Sequence, residues 1–191
     1  MSQSAAGGNF QQRWKKISRR IRVPLGFLFA VVYFWFARPS AGSLLVSLVL
    51  VVPGILLRAY ASGYVKKNEE LATSGPYAYT RNPLYLGSLL IAFGFALASR
   101  NVWIAGALAV LFAIIYLPVI AGEEEHLRKH FASYDEYARH VPRLLPRPSM
   151  YRGNGSGKFS SVLYRKHREY NSLLGSFCIY LVLIARTVFR H

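Results

Sequence analysis

The sequence predicts an all-α, polytopic helical membrane protein of about five transmembrane helices, forming a single domain over residues 1–191. Three observations predict it. Hydrophobic residues make up 53% of the chain although its net charge is +16. They are gathered into blocks that approach the roughly 20 residues needed to cross a bilayer. The charges lie between the blocks, which fits basic faces in contact with anionic lipid. A soluble nucleic-acid binder of this charge would leave the apolar blocks unexplained, so no nucleic-acid partner is expected. The single Cys178 lies inside an apolar block. It offers neither a disulfide framework nor a thiolate metal site, and no metal is expected.

The first block, Val23–Ala37, follows a basic N-terminal segment, residues 1–22. Arg22 and Arg38 flank it, and their side chains can snorkel to extend so short a span. Its outline resembles a signal peptide, but Ala37-Arg38-Pro39 is a poor cleavage site, so an uncleaved helix is expected. The second block starts near Pro39 and runs through Arg58 and Tyr60 to about Val65. Leu84–Ser99 is the third. Asn101–Ala121 is the fourth and clearest, with Pro118 expected to kink its end. A basic linker, residues 147–169, leads to the fifth, Tyr170–Ala185, within the C-terminal segment 170–191.

Charge placement supplies an independent test. With five spans, 20 of the 24 basic residues and all eight acids fall on one side. The positive-inside rule makes that side cytoplasmic, with the N-terminus inside and the C-terminus outside. Four spans would return the tail to the inner surface and leave the same face polar.

Only Arg100 joins the third block to the fourth, which requires a tight antiparallel hairpin. The hairpin brings Asn82, at the start of one helix, to the depth of Glu123-Glu124-Glu125 at the end of the next. Asn82-Pro83 is a helix-start pair: Asn caps free N–H groups, and Pro at the first position loses no hydrogen bond. Such a terminus holds carboxylate or phosphate, and Arg81 adds charge to it. An interfacial anchor of Tyr and Arg is the other reading of this stretch. Locally, Glu124 can pair with Arg128 and Glu125 with Lys129 at i,i+4 spacing. Ser133-Tyr134-Asp135-Glu136 fits a capping box. Arg58 either snorkels or orients an anionic group. Gly153–Lys158 lacks the spacing and hydroxyl of a phosphate loop and reads as a linker. Arg165-Lys166-His167-Arg168 reads as a basic patch facing lipid.

Taken in order, Leu57-Arg58-Ala59-Tyr60, Glu70–Tyr77, Arg81-Asn82-Pro83-Leu84-Tyr85-Leu86-Gly87, Glu123-Glu124 with Leu127, Phe131, Tyr134 and Tyr137, and Val141-Pro142-Arg143 resemble a known superfamily. It is the isoprenylcysteine carboxyl methyltransferase and phospholipid N-methyltransferase superfamily of integral-membrane enzymes. The resemblance covers residues 54–146. It implies S-adenosylmethionine as cofactor, in a pocket at the cytoplasmic ends of the core helices. The family's Arg-His-Pro-x-Tyr-x-Gly motif maps to Arg81, Asn82, Pro83, Tyr85 and Gly87, and its Glu pair to Glu123 and Glu124. Asn82 replaces the usual His, removing an imidazole role there. Ala132 stands where Gly often follows Phe.

The chemistry of the residues agrees. Arg81 and the helix start at Asn82–Leu84 suit a carboxylate, and Glu123 or Glu124 an ammonium. The rings of Tyr79, Tyr85 and Tyr134 suit a sulfonium or adenine, and Tyr137 completes the implied set. Arg58, Glu123 and Glu124 are the expected catalytic residues. The resemblance implies methyl transfer to a lipophilic acceptor, either an isoprenylcysteine-like carboxylate or a phospholipid amine. Anionic membrane lipids are the other expected partners. A non-catalytic protein keeping the fold as a sensor or scaffold is the alternative.

Overall fold

The computed structural model describes residues 28–66, 69–153 and 157–189, and its regular structure there is entirely helical. The basic segment 1–22, the start of the first expected span, the middle of the glycine-rich stretch and the last two residues lie outside the described residues. Residues 28–36 form the described part of α1. They are followed by α2 (Ala41–Ser62), a 3-10 turn (Gly75–Ala78) and α3 (Pro83–Ser99). Next come α4 (Val102–Leu111), a π-helical turn (Phe112–Tyr116), α5 (Leu117–His130), α6 (Tyr134–His140), α7 (Ser161–Lys166) and α8 (Tyr170–Val188).

Among the described residues, three helices are long and apolar enough to cross a membrane: Ala41–Ser62, the continuous Val102–His130, and Tyr170–Val188. Pro83–Ser99 is shorter. α2 ends at Ser62, before the expected Val65. Ser40 starts it: its Oγ accepts from the Ser43 amide at 3.3 Å, and Ser43 Oγ accepts from the Ser40 amide at 3.0 Å. This reciprocal cap satisfies two orphan donors.

The helices alternate in direction. At one end the Arg38 amide donates to Ser99 O at 2.9 Å, and Arg186 donates to Trp35 O at 3.0 Å. At the other end α2, α3, α5 and the start of α8 meet. The α3–α4 hairpin is as tight as expected, because Arg100 takes a left-handed φ of 52°. Asn101 then caps α4, its Oδ1 accepting from the Trp103 amide at 2.9 Å. The irregularity before Pro118 is a π turn. Proline has no N–H for the carbonyl four residues earlier, and a π turn lets that carbonyl reach one residue further.

α2 and α3 form the tightest pair. A Cβ at Gly54 would lie 2.8 Å from Gly87 O, and one at Gly94 would lie 2.4 Å from Val51 Cγ2. Two backbones approach this closely only where the side chain is hydrogen. Tyr33, Leu44, Val51, Phe95, Ile104 and Leu183 bury the apolar core between α1, α2, α3, α4 and α8. Ser47 Oγ and Tyr180 Oη share a hydrogen bond of 2.6 Å that ties α8 to α2. A second cluster, Tyr134, Tyr137 and Val141 with Leu71, Leu127, Phe131 and Tyr151, lies beyond the end of α5.

Candidate functional site

The polar site is built around the start of α3. After α6 the chain returns as a strap along residues 78–82. The Arg81 amide donates to Pro142 O at 2.9 Å, the Arg147 amide to Tyr79 O at 2.9 Å and the Tyr151 amide to Ala78 O at 3.0 Å. Thr80 Oγ1 donates to Leu144 O at 2.9 Å. Residues 142–151 therefore form a strap bonded to the loop before α3.

Glu124 is the hub and is only 5% exposed. Its Oε2 accepts from Arg143 Nε at 3.0 Å and from Arg143 Nη2 at 2.7 Å. Its Oε1 faces Arg81 Nη2 at 3.4 Å and Asn82 Nδ2 at 3.5 Å. The expected Glu124–Arg128 pair is not formed: Arg128 Nε instead meets Asp135 Oδ1 at 2.7 Å. Burial explains the exchange, since a buried carboxylate needs several donors and a solvated i,i+4 pair is worth little. Glu125 does pair with Lys129, at 3.0 Å.

Asn82 stands at the N-cap position, but its side chain makes no capping bond. Its Nδ2 donates to Arg143 O at 2.8 Å instead. The amide thus holds the strap rather than the helix end, which leaves α3's first N–H groups without that cap. Ser133 likewise makes no side-chain cap to α6.

Arg81 is under-used. Its Nη1 reaches Tyr134 Oη only at 3.4 Å, its contact to Glu124 is as long, and its buried Nε has no partner among the described residues. A partly buried guanidinium whose Nε is buried and unpaired, beside a helix N-terminus, is chemically suited to an anion. At the same mouth Tyr85 Oη donates to Glu123 Oε2 at 3.0 Å, and Glu123 is exposed.

Other expected site residues are placed differently. Tyr134 and Tyr137 are buried, at 1% and 3% exposure, and Arg128 lies 5.6 Å over the Tyr134 ring. Tyr137 Oη donates to Tyr77 O at 2.7 Å. Burial raises the Tyr134 phenol's pKa first, then the Glu124 charge, with Arg81 opposing. Burial is also the main cause pushing Tyr137 and Tyr77 upward. These phenols stay protonated at neutral pH; Tyr137 is a structural donor, Tyr134 accepts from Arg81, and Tyr79 is exposed. Gly87 and Pro83 are buried, and Gly87 is the packing surface for Gly54 and Arg58. Leu84 contributes its carbonyl to Arg58 at 3.2 Å.

Arg58 is saturated within the fold. Its Nη2 lies 2.9 Å from Glu169 Oε2, its Nε donates to Ser172 Oγ at 3.1 Å, and Nη1 closely contacts Ser88 Oγ. Glu169 and the Arg143 side chain are the partners of the expected site residues that sequence reasoning missed. The signal for Glu169 was a lone acid at the mouth of an apolar span, at the depth of Arg58.

The model of the phospholipid methyltransferase family matches residues 26–134, more than half of the chain. The chain belongs to the phospholipid methyltransferase family. With three apolar helices of membrane-spanning length among the described residues, this family member is an integral membrane protein. The family region contains Arg58, Arg81 and Glu124, whereas Arg143 and Glu169 lie beyond it. This phospholipid methyltransferase family member is 40% identical over 97 residues to the cobalt-zinc-cadmium resistance protein CzcN of Cupriavidus metallidurans, covering 51% of this chain and 44% of that protein. It is 33% identical over 119 residues to the nickel-cobalt-cadmium resistance protein NccN of Alcaligenes xylosoxydans xylosoxydans, covering 61% and 56% respectively. The chain thus spans about half the length of the curated relatives it matches. No solved structure matches it significantly. Among the described residues, no group of three or more His, Cys, Asp and Glu is arranged to hold a metal ion.

Proposed function

We propose that the chain transfers a methyl group from S-adenosylmethionine to a lipophilic acceptor at the cytoplasmic face of a five-span membrane domain. Family membership supports methyl transfer at a membrane. The observation that carries the cofactor assignment is the partnerless, buried Arg81 Nε beside the start of α3. The donor set fits: Arg81 and α3's first amides would hold the carboxylate, and the exposed Glu123 the ammonium. Glu124 is not the ammonium partner, because both its oxygens already face cationic or amide donors. It positions Arg81. Tyr85 and Tyr79 offer rings at the mouth.

When bound, S-adenosylmethionine supplies an electrophilic methyl group. The chain's own contribution is alignment and exclusion of water, which dominate an in-line displacement. A carboxylate acceptor needs no base. An amine acceptor gives up a proton, to Glu123 or to solvent. The acceptor is an isoprenylcysteine-like carboxylate or a phospholipid amine.

A second reading is a non-catalytic sensor or scaffold that keeps the fold. The pairing of Glu124 with Arg81, Asn82 and Arg143 within the fold favours it, as do the metal-resistance names of the relatives. Incubating purified protein with methyl-labelled cofactor and total lipid extract separates the two. A labelled lipid supports the enzyme; cofactor binding without labelled product supports the scaffold; no binding at all refutes the cofactor assignment.

A further inference from the structure

We propose that residues 158–168 form a binding surface for anionic phospholipid headgroups. The segment is seated across the ends of α2 and α8. The Ser160 amide donates to Gly63 O at 3.0 Å, and His167 Nδ1 donates to Ser62 O at 3.1 Å. The Phe159 ring stacks on Tyr60 with centroids 5.8 Å apart. Both α2 and α8 have the length and apolarity to span a membrane. A segment fastened over their ends therefore lies at the bilayer boundary.

Its outward chemistry matches that position. Lys158, Arg165, Lys166 and Arg168 are exposed. Beside them Val162 is 70% and Phe159 45% exposed. The stretch has one neighbouring acid, Glu169, and that carboxylate is turned inward onto Arg58. Arg168 makes this inversion possible: its left-handed φ of 53° reverses the chain between α7 and α8. Four cations consequently face out beside apolar side chains, with the acid adjacent to them in sequence already neutralised. Cations suit the headgroup phosphate, and Val162 and Phe159 suit the acyl boundary beneath it. A free phosphate would satisfy only the first.

Native mass spectrometry of the detergent-solubilised full chain, equilibrated with equal phosphatidylglycerol and phosphatidylcholine, tests this. The wild type should retain phosphatidylglycerol preferentially. Replacing the four cations by Gln should lower that preference about tenfold or more, given roughly 1 kcal/mol per cation near a charged surface. Lys129→Gln with Arg139→Gln, on exposed cations elsewhere, should leave it unchanged. An unaltered preference in the quadruple variant overturns the proposal. So does an equal loss in the control, which would assign the effect to net charge. Displacement of the lipid by inorganic phosphate at equal concentration would overturn it in favour of a phosphate site.

Discussion

Arg143 holds Glu124 through two nitrogens, 3.0 and 2.7 Å from the same oxygen, across 19 residues of sequence. The pair joins the strap after α6 to the end of α5, and Arg81 and Asn82 complete it from the start of α3. A carboxylate buried among these donors belongs to the frame of the site. Glu124→Gln should therefore destabilise the protein by about 3 kcal/mol, the lower end for a broken buried pair because Arg143 is half exposed. Glu123→Gln should leave stability unchanged and weaken S-adenosylmethionine binding about tenfold or more, as expected for a hydrogen bond to a charged group. Thermal unfolding in detergent and calorimetric titration measure the two effects. The opposite partition would return Glu124 to the ligand and Glu123 to the surface.

Asn82 faces a carbonyl and a carboxylate with its amide nitrogen. Asn82→Asp replaces that donor with an acceptor beside Glu124. The new carboxyl, buried and next to a like charge, has a folded-state pKa raised above its unfolded value. Its protonated form is favoured in the fold, so the variant should lose stability as pH rises through the raised pKa. Unfolding midpoints between pH 5 and 8 should fall for the variant relative to wild type; parallel curves would contradict the assigned orientation of the amide.

Gly87→Ala tests the close approach of α2 and α3. The added Cβ would lie 2.7 Å from Gly54 O and 2.6 Å from Arg58 Cγ. The carbonyl cannot rotate away, so the helices must separate, at a cost of about 1–3 kcal/mol. Gly106→Ala, with nothing within 4 Å, should be neutral or slightly stabilising and serves as the control. Equal effects in the two variants would remove the special role of Gly87.

The Arg58–Glu169 pair fastens α8 to the α2–α3 core. Glu169→Gln should cost about 2–3 kcal/mol by leaving a largely buried guanidinium without its carboxylate. Replacing both at once, Arg58→Met with Glu169→Leu, should recover much of that loss, because a buried pair is often matched by apolar residues of similar volume. A double variant as unstable as the sum of the singles would show that the two residues act independently.

The architecture was legible in the sequence wherever a local rule governs. The apolar blocks, the Arg100 hairpin and the Glu125–Lys129 pair follow from span length, loop length and helix spacing. The side-chain roles at the site were not. Spacing along one helix assigns Arg128 to Glu124, and capping statistics assign Asn82 to its own helix end. Both residues have tertiary partners instead, and the decisive one, Arg143, belongs to a strap whose path depends on how α6 packs. Glu169 escaped for a related reason: its neighbours are basic and exposed, and only the left-handed turn at Arg168 points it inward.

The continuous helix Val102–His130 has 29 residues, about 43 Å at 1.5 Å per residue. A hydrocarbon layer is about 30 Å thick, so the helix outruns it by about two and a half turns. About 20 residues of crossing bring the chain from Val102 to Ala121, and Glu123 is the next charged step. The helix acts as a ruler, fixing the height of the acidic residues at the headgroup plane by residue count alone. Inserting one turn between the π segment and Gly122 should lift them clear of the start of α3. Under the proposed methyl transfer, only acceptors whose reactive atom can surface to that plane would be within reach.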